Sequence, residues 1–443
     1  MNITLTVTDG TTTVTLSGGL MSYDQSTSSR SNMDEDKVSE RMKIRVDGST
    51  IADVRTTIRT LALLFEQARR YNKNHVGNRV YLNYDPGNTG VTWRALLFNG
   101  VTVLDIDKAI TMTWDSGFLV IELQIEREPW EGPETELALT NGGGTGTGGR
   151  SISNNDYSTD DNWVTIAGSA VAGDMPARCR IELYHSYATN PFQKYIWIHH
   201  KTDGLTNFTH VLEAEDGSGG TTTVDANASG GNKKAISWAV TTLTKIWDET
   251  LTDTLINSIN HGKVSVLIRI DDVSYTDLYI KWVLRNTSGS TLVKDGSLTP
   301  IPADRTFVDL GNVRLPPGET GGTNSALLFE LWAQRLSAGT HNLNLDYVQL
   351  SPIAPTNSFR KLSALDGGLK YQETLVDDGL DGRVYRLSSS KRVTDFAAEG
   401  GPIMLFPGQD QKLIVTAMET AGAYYKAQTF TVRVYYRPRY RVI

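Results

Sequence analysis

One stretch of this 443-residue chain, Ser49 through Tyr71, carries helical periodicity; strand-like alternation, turns and glycine fill the rest. Ile51, Val54, Ile58, Leu61, Phe65 and Ala68 are spaced by three and four, so they line one face of a 3.6-residue repeat. Thr50 followed by Asp53 is a capping pattern for the first turn, and Arg69 and Arg70 place positive charge near the C-terminal end. A lone amphipathic helix must bury its stripe against something, and here only sheets are on offer. The chain is therefore expected to be mainly β, with an N-terminal β-sandwich flanked by one α-helix.

The length exceeds what one core serves, so several domains are expected. Hydrophobic residues make up 39% and charged residues 21%, the balance of an ordinary soluble fold, and 40 glycines favour turns. The net charge of −7 argues against a general nucleic-acid surface. Cys179 is the single cysteine, which excludes an internal disulfide and a cysteine-rich zinc site. Met1 opens directly into an alternating strand with no secretory leader, and no run approaches the ~18 apolar residues of a membrane span.

The first segment, 1–139, opens with a hairpin (Ile3, Leu5 and Val7 inward, a turn at Asp9-Gly10). A polar arm, Ser22 to Asp36, lacks any apolar period and reads as an exposed loop. Strands are expected at Val38–Val46, Arg79–Tyr84, Val91–Phe98, Ala109–Trp114 and Phe118–Arg127, with Phe98-Asn99-Gly100 as a turn. Residues 140–150, with the run TNGGGTGTGG, read as a flexible linker. Segment 151–355 alternates strands and polar turns over a length that suits a jelly-roll β-sandwich. Thr242 to His261 fits either a short helix or a crossing loop. Segment 356–443 reads as a small C-terminal β domain ending in Tyr436-Arg437-Pro438-Arg439-Tyr440-Arg441.

No phosphate-binding loop, nucleophile elbow or HExxH run is present. His199 and His200 are adjacent in a strand, so they point to opposite faces and do not share a metal. Glu213 and Glu215 at two-residue spacing, and Asp271-Asp272, are the carboxylates a glycoside hydrolase would need, but solvated strand ends are the favoured account of them in a chain with 50 Asp and Glu. Trp163, Tyr184, Tyr195 and Trp197 are candidate glycan-stacking rings, with core packing as the alternative. Arg433, Arg437, Arg439 and Arg441 suit phosphate contacts or an intersubunit ion-pair surface. No catalytic, cofactor or metal residue is assigned, and no cofactor is expected.

The opening hairpin, the polar arm, the strand Glu40–Val46, the single helix running through Leu61–Tyr71 into Val80-Tyr81-Leu82, and the closing run Glu122–Trp130 together resemble the tail-tube and distal tail proteins of long-tailed bacteriophages. The middle segment, ending in Leu343–Leu350, is similar to carbohydrate-binding jelly rolls, and the ending, Leu405-Phe406-Pro407-Gly408 with Tyr436-Arg437-Pro438-Arg439-Tyr440, is also similar to tail proteins. The resemblance implies a structural virion protein of the tail, as distal tail, tube or baseplate ring subunit. It implies copies joined as a hexamer or pseudo-hexamer around a genome channel, neighbouring tail proteins as partners, and an outward sandwich able to touch host glycans. Specific nucleic-acid binding, membrane insertion and enzymatic activity are not expected. Subunit-contact candidates are Arg55, Arg59 and Glu66 on the helix, Ser28 and Arg30 on the arm, and Arg437 and Arg439 at the end. A carbohydrate-binding adhesin is the alternative, and a glycoside hydrolase a remoter one.

Overall fold

The computed structural model describes residues 4–16, 20–26, 37–86, 91–103, 118–154, 163–186, 193–202, 211–252, 256, 263–271, 277–286, 291–301, 306–316, 326–353, 359–419 and 428–441. The protein is mainly β, with one long α-helix among the described residues. It divides into two compact units, residues 1–135 with 172–176 and 437–443, and residues 136–171 with 177–436.

In the first unit an antiparallel sheet runs in the order Thr13–Leu16, Thr4–Thr8, Tyr81–Asp85, Trp93–Val103, Phe118–Arg127, Val38–Asp47, Leu20–Ser26. The short strand Trp130–Glu131 adds to Trp93–Val103 and pairs with Arg439–Tyr440. Strict alternation puts Met42, Ile44 and Val46 with Ile121, Leu123 and Ile125 on the core face. The helix spans Ile51–Asn74; the Thr50 hydroxyl accepts from the Asp53 amide at 3.2 Å, and His75 in the left-handed region closes it. Val54, Leu61, Leu64, Phe65 and Ala68 are buried. Ile51, expected in the stripe, is 42% exposed instead.

Phe98-Asn99-Gly100 is not a turn. It lies inside the strand Trp93–Val103, at a register shift between Leu97 and Asn99. A Cβ on Gly100 would sit 2.5 Å from the Phe65 ring, so glycine is needed to let the helix reach the sheet. The front of the expected polar arm is likewise a strand, paired with Val38–Asp47 from Ser22↔Lys43 to Ser26↔Ser39. The expected strand Ala109–Trp114 and the arm residues Ser28 and Arg30 lie outside the described residues.

The second unit holds two sandwiches, one inserted in the other. The parent is built from residues within 137–171, 177–201 and 359–436. Its first sheet runs Gly144–Gly146, Leu139–Asn141, Trp163–Ile166, Gln411–Glu419, Gln193–Lys201, Phe359–Ala364, Phe396–Glu399. Its second runs Arg150–Asn154, Gln428–Tyr436, Ala177–His185, Thr374–Asp378, Arg383–Ser388, Lys391–Val393. Ile152, Val164, Ile181, Ile196, Ile198, Leu413 and Val434 meet between them. The expected segments 151–355 and 356–443 therefore do not part at 355: strands from the C-terminal segment complete a core begun far earlier in the chain, as in Cys179↔Tyr436 and Arg150↔Val432.

The expected linker 140–150 is a hairpin. Leu139–Asn141 pairs with Gly144–Gly146, and Thr140 pairs with Thr165 of the sheet. The Asn141 carboxamide accepts from the Gly143 amide at 3.0 Å, and Gly144 takes a φ of 101°. These glycines serve a tight turn, and the low-complexity composition conceals it.

The inserted sandwich comprises residues 211–352. One sheet runs Thr221–Val224, Asn232–Trp238, His341–Pro352, Lys263–Asp271, Phe307–Arg314, with Val211–Glu213 beside His341–Pro352. The other runs Thr244–Thr252, Ala326–Arg335, Leu278–Asn286, Leu292–Asp295, with Thr299–Ile301 also on Leu278–Asn286. The strand Thr244–Thr252 occupies the first half of the region that fitted a helix or a loop. Trp247, Trp282, Ile268, Phe329 and Leu345 lie in this core. The strands flanking the insertion, Gln193–Lys201 and Phe359–Ala364, are direct neighbours in the parent sheet.

Candidate assembly surface and glycan-contact residues

The helix is fixed by two tight packings. Gly48 abuts Val54 at its start, where an added Cβ would fall 2.7 Å from a Val54 methyl, and Gly100 receives Phe65. With the inner face so held, Arg55, Arg59 and Leu63 are turned to solvent, and Leu63 is 63% exposed. A large exposed leucine next to two arginines has the composition of an interface anchor. Glu66 is differently occupied. It accepts from Arg69 at 2.8 Å and from Arg70 at 3.1 Å, and the Arg70 hydrogen bond leads in holding its carboxyl below the usual range.

Arg439 is turned inward. It is 3% exposed, donates to the Pro176 carbonyl at 3.2 Å and faces Glu128 at 4.0 Å. Its strand pairing with Glu131 requires this, so the C-terminal arginine is part of the first unit's own structure and is removed from subunit contact. Arg437 is half-buried beside Glu134 at 3.5 Å; burial first, then Arg94, pulls its guanidinium below its ordinary range.

The four candidate rings fall in two places. Trp197 is 3% exposed, with Trp163 and Tyr195 packed on the same cluster between the two sandwiches. Trp197 lies 6.2 Å from Phe307 of the inserted sandwich, centroid to centroid. Alternation puts Tyr195 and Trp197 on the outer face of the parent sheet, and the inserted sandwich covers Trp197 there. Trp197 is a core residue, and Trp163 and Tyr195 are half-buried against the same cluster. Tyr184 alone remains exposed, on the parent's other sheet.

That outer face holds aromatic and charged groups that the sequence did not single out. The Arg180 guanidinium lies 4.3 Å from the Tyr435 ring centroid, and Arg392 lies 3.7 Å from that of Tyr385. Glu182 is paired in register with Arg433 and Val376, between these rings.

The carboxylates are dispersed. Glu213 is in a strand and accepts from the Ser229 hydroxyl at 2.7 Å, whereas Glu215 sits in the 3-10 turn Ala214–Asp216, so the two do not share a strand face. Glu249 is pushed up to about 7, by burial first and then by Asp216 and Glu215. Asp271 pairs with Lys233, and Asp272 lies outside the described residues. Among the described residues no group of three or more His, Cys, Asp and Glu is placed to hold a metal ion, and no helix is long and apolar enough to cross a membrane.

His199 and His200 do take opposite faces. His200 Nε2 donates to the Gln411 carboxamide oxygen at 2.9 Å inside the parent core, and burial depresses it to about 4. His199 stacks on Phe359 at 5.3 Å, has no hydrogen bond at either ring nitrogen, and is depressed to about 3 by burial alone.

No family model matches the chain, and no curated protein matches it. Among solved structures it is similar to the Dit protein (gp 19.1) of phage SPP1, at TM-score 0.31 and 9% identity, over 98% of each chain. It is similar to a chain of the phage P2 baseplate in its activated conformation, at TM-score 0.26 and 8% identity over 100% of each. The VP2 protein of infectious bursal disease virus follows at TM-score 0.18 and 8% identity, over 69% of this chain and 77% of that one. Scores of this size do not establish a shared fold.

Proposed function

We propose that the chain is a structural ring subunit of a bacteriophage tail, at the distal tail, tube or baseplate, acting without enzymatic chemistry. One observation carries this: the first unit is a sheet braced by a single helix whose outer face, Arg55, Arg59 and Leu63, is left to solvent. The same sheet ends in the short strands Thr13–Leu16 and Leu20–Ser26, whose outer edges call for cover. A closed ring satisfies both demands, because a heterologous contact repeated around an axis buries one copy's edge or helix against the next. In this reading six copies, or a pseudo-hexamer, surround a genome channel and stack on neighbouring tail proteins, with the second unit outward.

The test is negative-stain microscopy and light scattering of the purified protein. Rings are expected, and Leu63→Asp or Arg59→Glu should shift the population to folded monomers. Burying Leu63 contributes about 1.5–3 kcal/mol per contact, about 10- to 150-fold in each association constant. A protein monomeric at high concentration, or variants that assemble normally, would overturn the reading. The second reading, a glycan-binding module, is favoured by the Tyr184, Tyr385 and Tyr435 face with its stacked arginines. A glycan array tests it. Binding lost in Tyr385→Ala supports it, and an array without signal removes it.

A further inference from the structure

We infer that the inserted sandwich is docked on its parent through a contact that acid releases, with His199 as the residue on which acid acts. The inference does not depend on the ring reading. Trp197, Leu267, Phe307, Tyr347 and Ile414 form a cluster separate from the two sandwich cores, three from the inserted sandwich and two from the parent. His199 belongs to its parent side. It shares a strand face with Trp197, and its register partners on either side are Ile414 and Phe359, both in the cluster. The ring is fully buried, and neither nitrogen has a partner.

Among the described residues, the surroundings offer a proton no compensation. On its own strand the next residue on this face is Lys201, opposite Lys412, whose ammonium lies over Trp163 at 4.5 Å. On the strand Phe359–Ala364, Lys361 faces Asp309 of the inserted sandwich at 3.7 Å and Glu399 at the same distance. From the inserted sandwich come Arg269, already paired with the buried Asp346, and the neutral Gln349, which accepts from Thr416 at 3.1 Å. Each nearby carboxylate thus has a cation, and the uncommitted imidazole lies among lysines. A charged imidazole there is stabilised only by leaving the contact, which hydrates it.

Linkage sets the size of the effect. An imidazole exposed in the released state titrates near its ordinary 6.5, and in the docked state near 3. The ratio of released to docked molecules then rises up to tenfold per pH unit below 6.5, or about 50-fold from pH 6.5 to 4.5, and flattens below 3. The parent core also holds a buried imidazole, His200, which acid charges by the same linkage, so opening of the contact has to be read apart from opening of that core.

The single native cysteine makes the test internal. Cys179 is buried in the parent core and reports opening of that core; a second thiol introduced as Ile414→Cys, or as Leu267→Cys on the inserted side, reports the contact. Full-length protein is treated with 4,4′-dithiodipyridine, which reacts with thiols in acid, and rates are divided by those of free cysteine at the same pH. The ratio at the contact thiol should rise about 50-fold from pH 6.5 to 4.5, and His199→Leu or His199→Phe should abolish that rise while leaving unchanged the acid response that Cys179 takes from the buried His200. A contact thiol that reacts no faster than Cys179 at pH 4.5 would mean that acid exposes it only by melting the whole unit and would overturn the inference. An unchanged rise in both His199 variants would overturn it too.

Discussion

Glu40 and Arg127 close one end of the first unit's core, and their pairing is open to a sharp test. Both side chains are fully buried. Arg127 Nε donates to Glu40 at 2.8 Å, Nη2 donates to the other carboxylate oxygen, and Nη1 donates to the Glu128 carbonyl at 2.8 Å. The guanidinium also lies 4.2 Å from the Trp130 ring centroid. The pair joins the strands Val38–Asp47 and Phe118–Arg127 where Val38 meets Arg127 in register. Glu40→Gln preserves the volume and removes the negative charge, leaving a guanidinium out of water with one neutral partner, a loss of about 3–5 kcal/mol. At a urea slope of about 2 kcal/mol/M, the unfolding midpoint should fall by about 2 M. Helical ellipticity at 222 nm follows this unit selectively, because the long helix among the described residues belongs to it. Glu40→Leu combined with Arg127→Met should regain most of the loss, since apolar side chains of similar volume need no partner. A Glu40→Gln variant within 1 kcal/mol of wild type, or a double variant no better than the single, would refute the account of the pair as a mutually dependent buried unit.

Gly100→Ala places a methyl 2.5 Å from the Phe65 ring and should destabilise the first unit by about 1–3 kcal/mol in urea melts, with partial relief from a second change, Phe65→Leu. Glu249 is raised in the folded state above its ordinary 4.5, to about 7, so its protonated form is the stabilised one; stability is full below pH 4.5 and is lost as pH rises to about 7. Glu249→Gln should therefore raise stability by about 1–3 kcal/mol at pH 8, discounted for its partial exposure, and change nothing at pH 4.5 in parallel denaturation series.

The helix was legible because its signals are local. The 3.6-residue spacing, the Thr50 cap and the arginines near the end act within a few residues of one another, and the structure departs from them at Ile51, which is exposed, at Ile58, which is half-buried, and at the last turn, which runs on to Asn74. Individual strands were legible for the same reason. Their partners were not. Gln193–Lys201 pairs with Phe359–Ala364 across more than 150 residues, and no alternation pattern records which distant strand will lie alongside. Nor does it record when both faces of a sheet are covered. Lys263–Asp271 is buried almost continuously from Val264 to Ile270, because one face meets the inserted core and the other carries Leu267 into the contact with the parent. Trp197 shows the same limit: nothing in its own strand's pattern records that the inserted sandwich covers the ring.

The position of the insertion explains how the parent tolerates it. Because the flanking strands are adjacent and antiparallel, the chain leaves the parent sheet and returns to it at nearly the same place, and the parent core closes as though a short loop joined them. The insertion then needs no contact with the parent to fold, since its own two sheets enclose a full core. The additional cluster around Trp197 adds orientation rather than stability: five large buried side chains, at about 1.5–3 kcal/mol each before ordering costs, suffice to hold two tethered bodies together. A contact of that size is also small enough for one unpartnered imidazole to alter its balance, whereas a core of the inserted sandwich's extent would absorb the same charge with little change in its folded population.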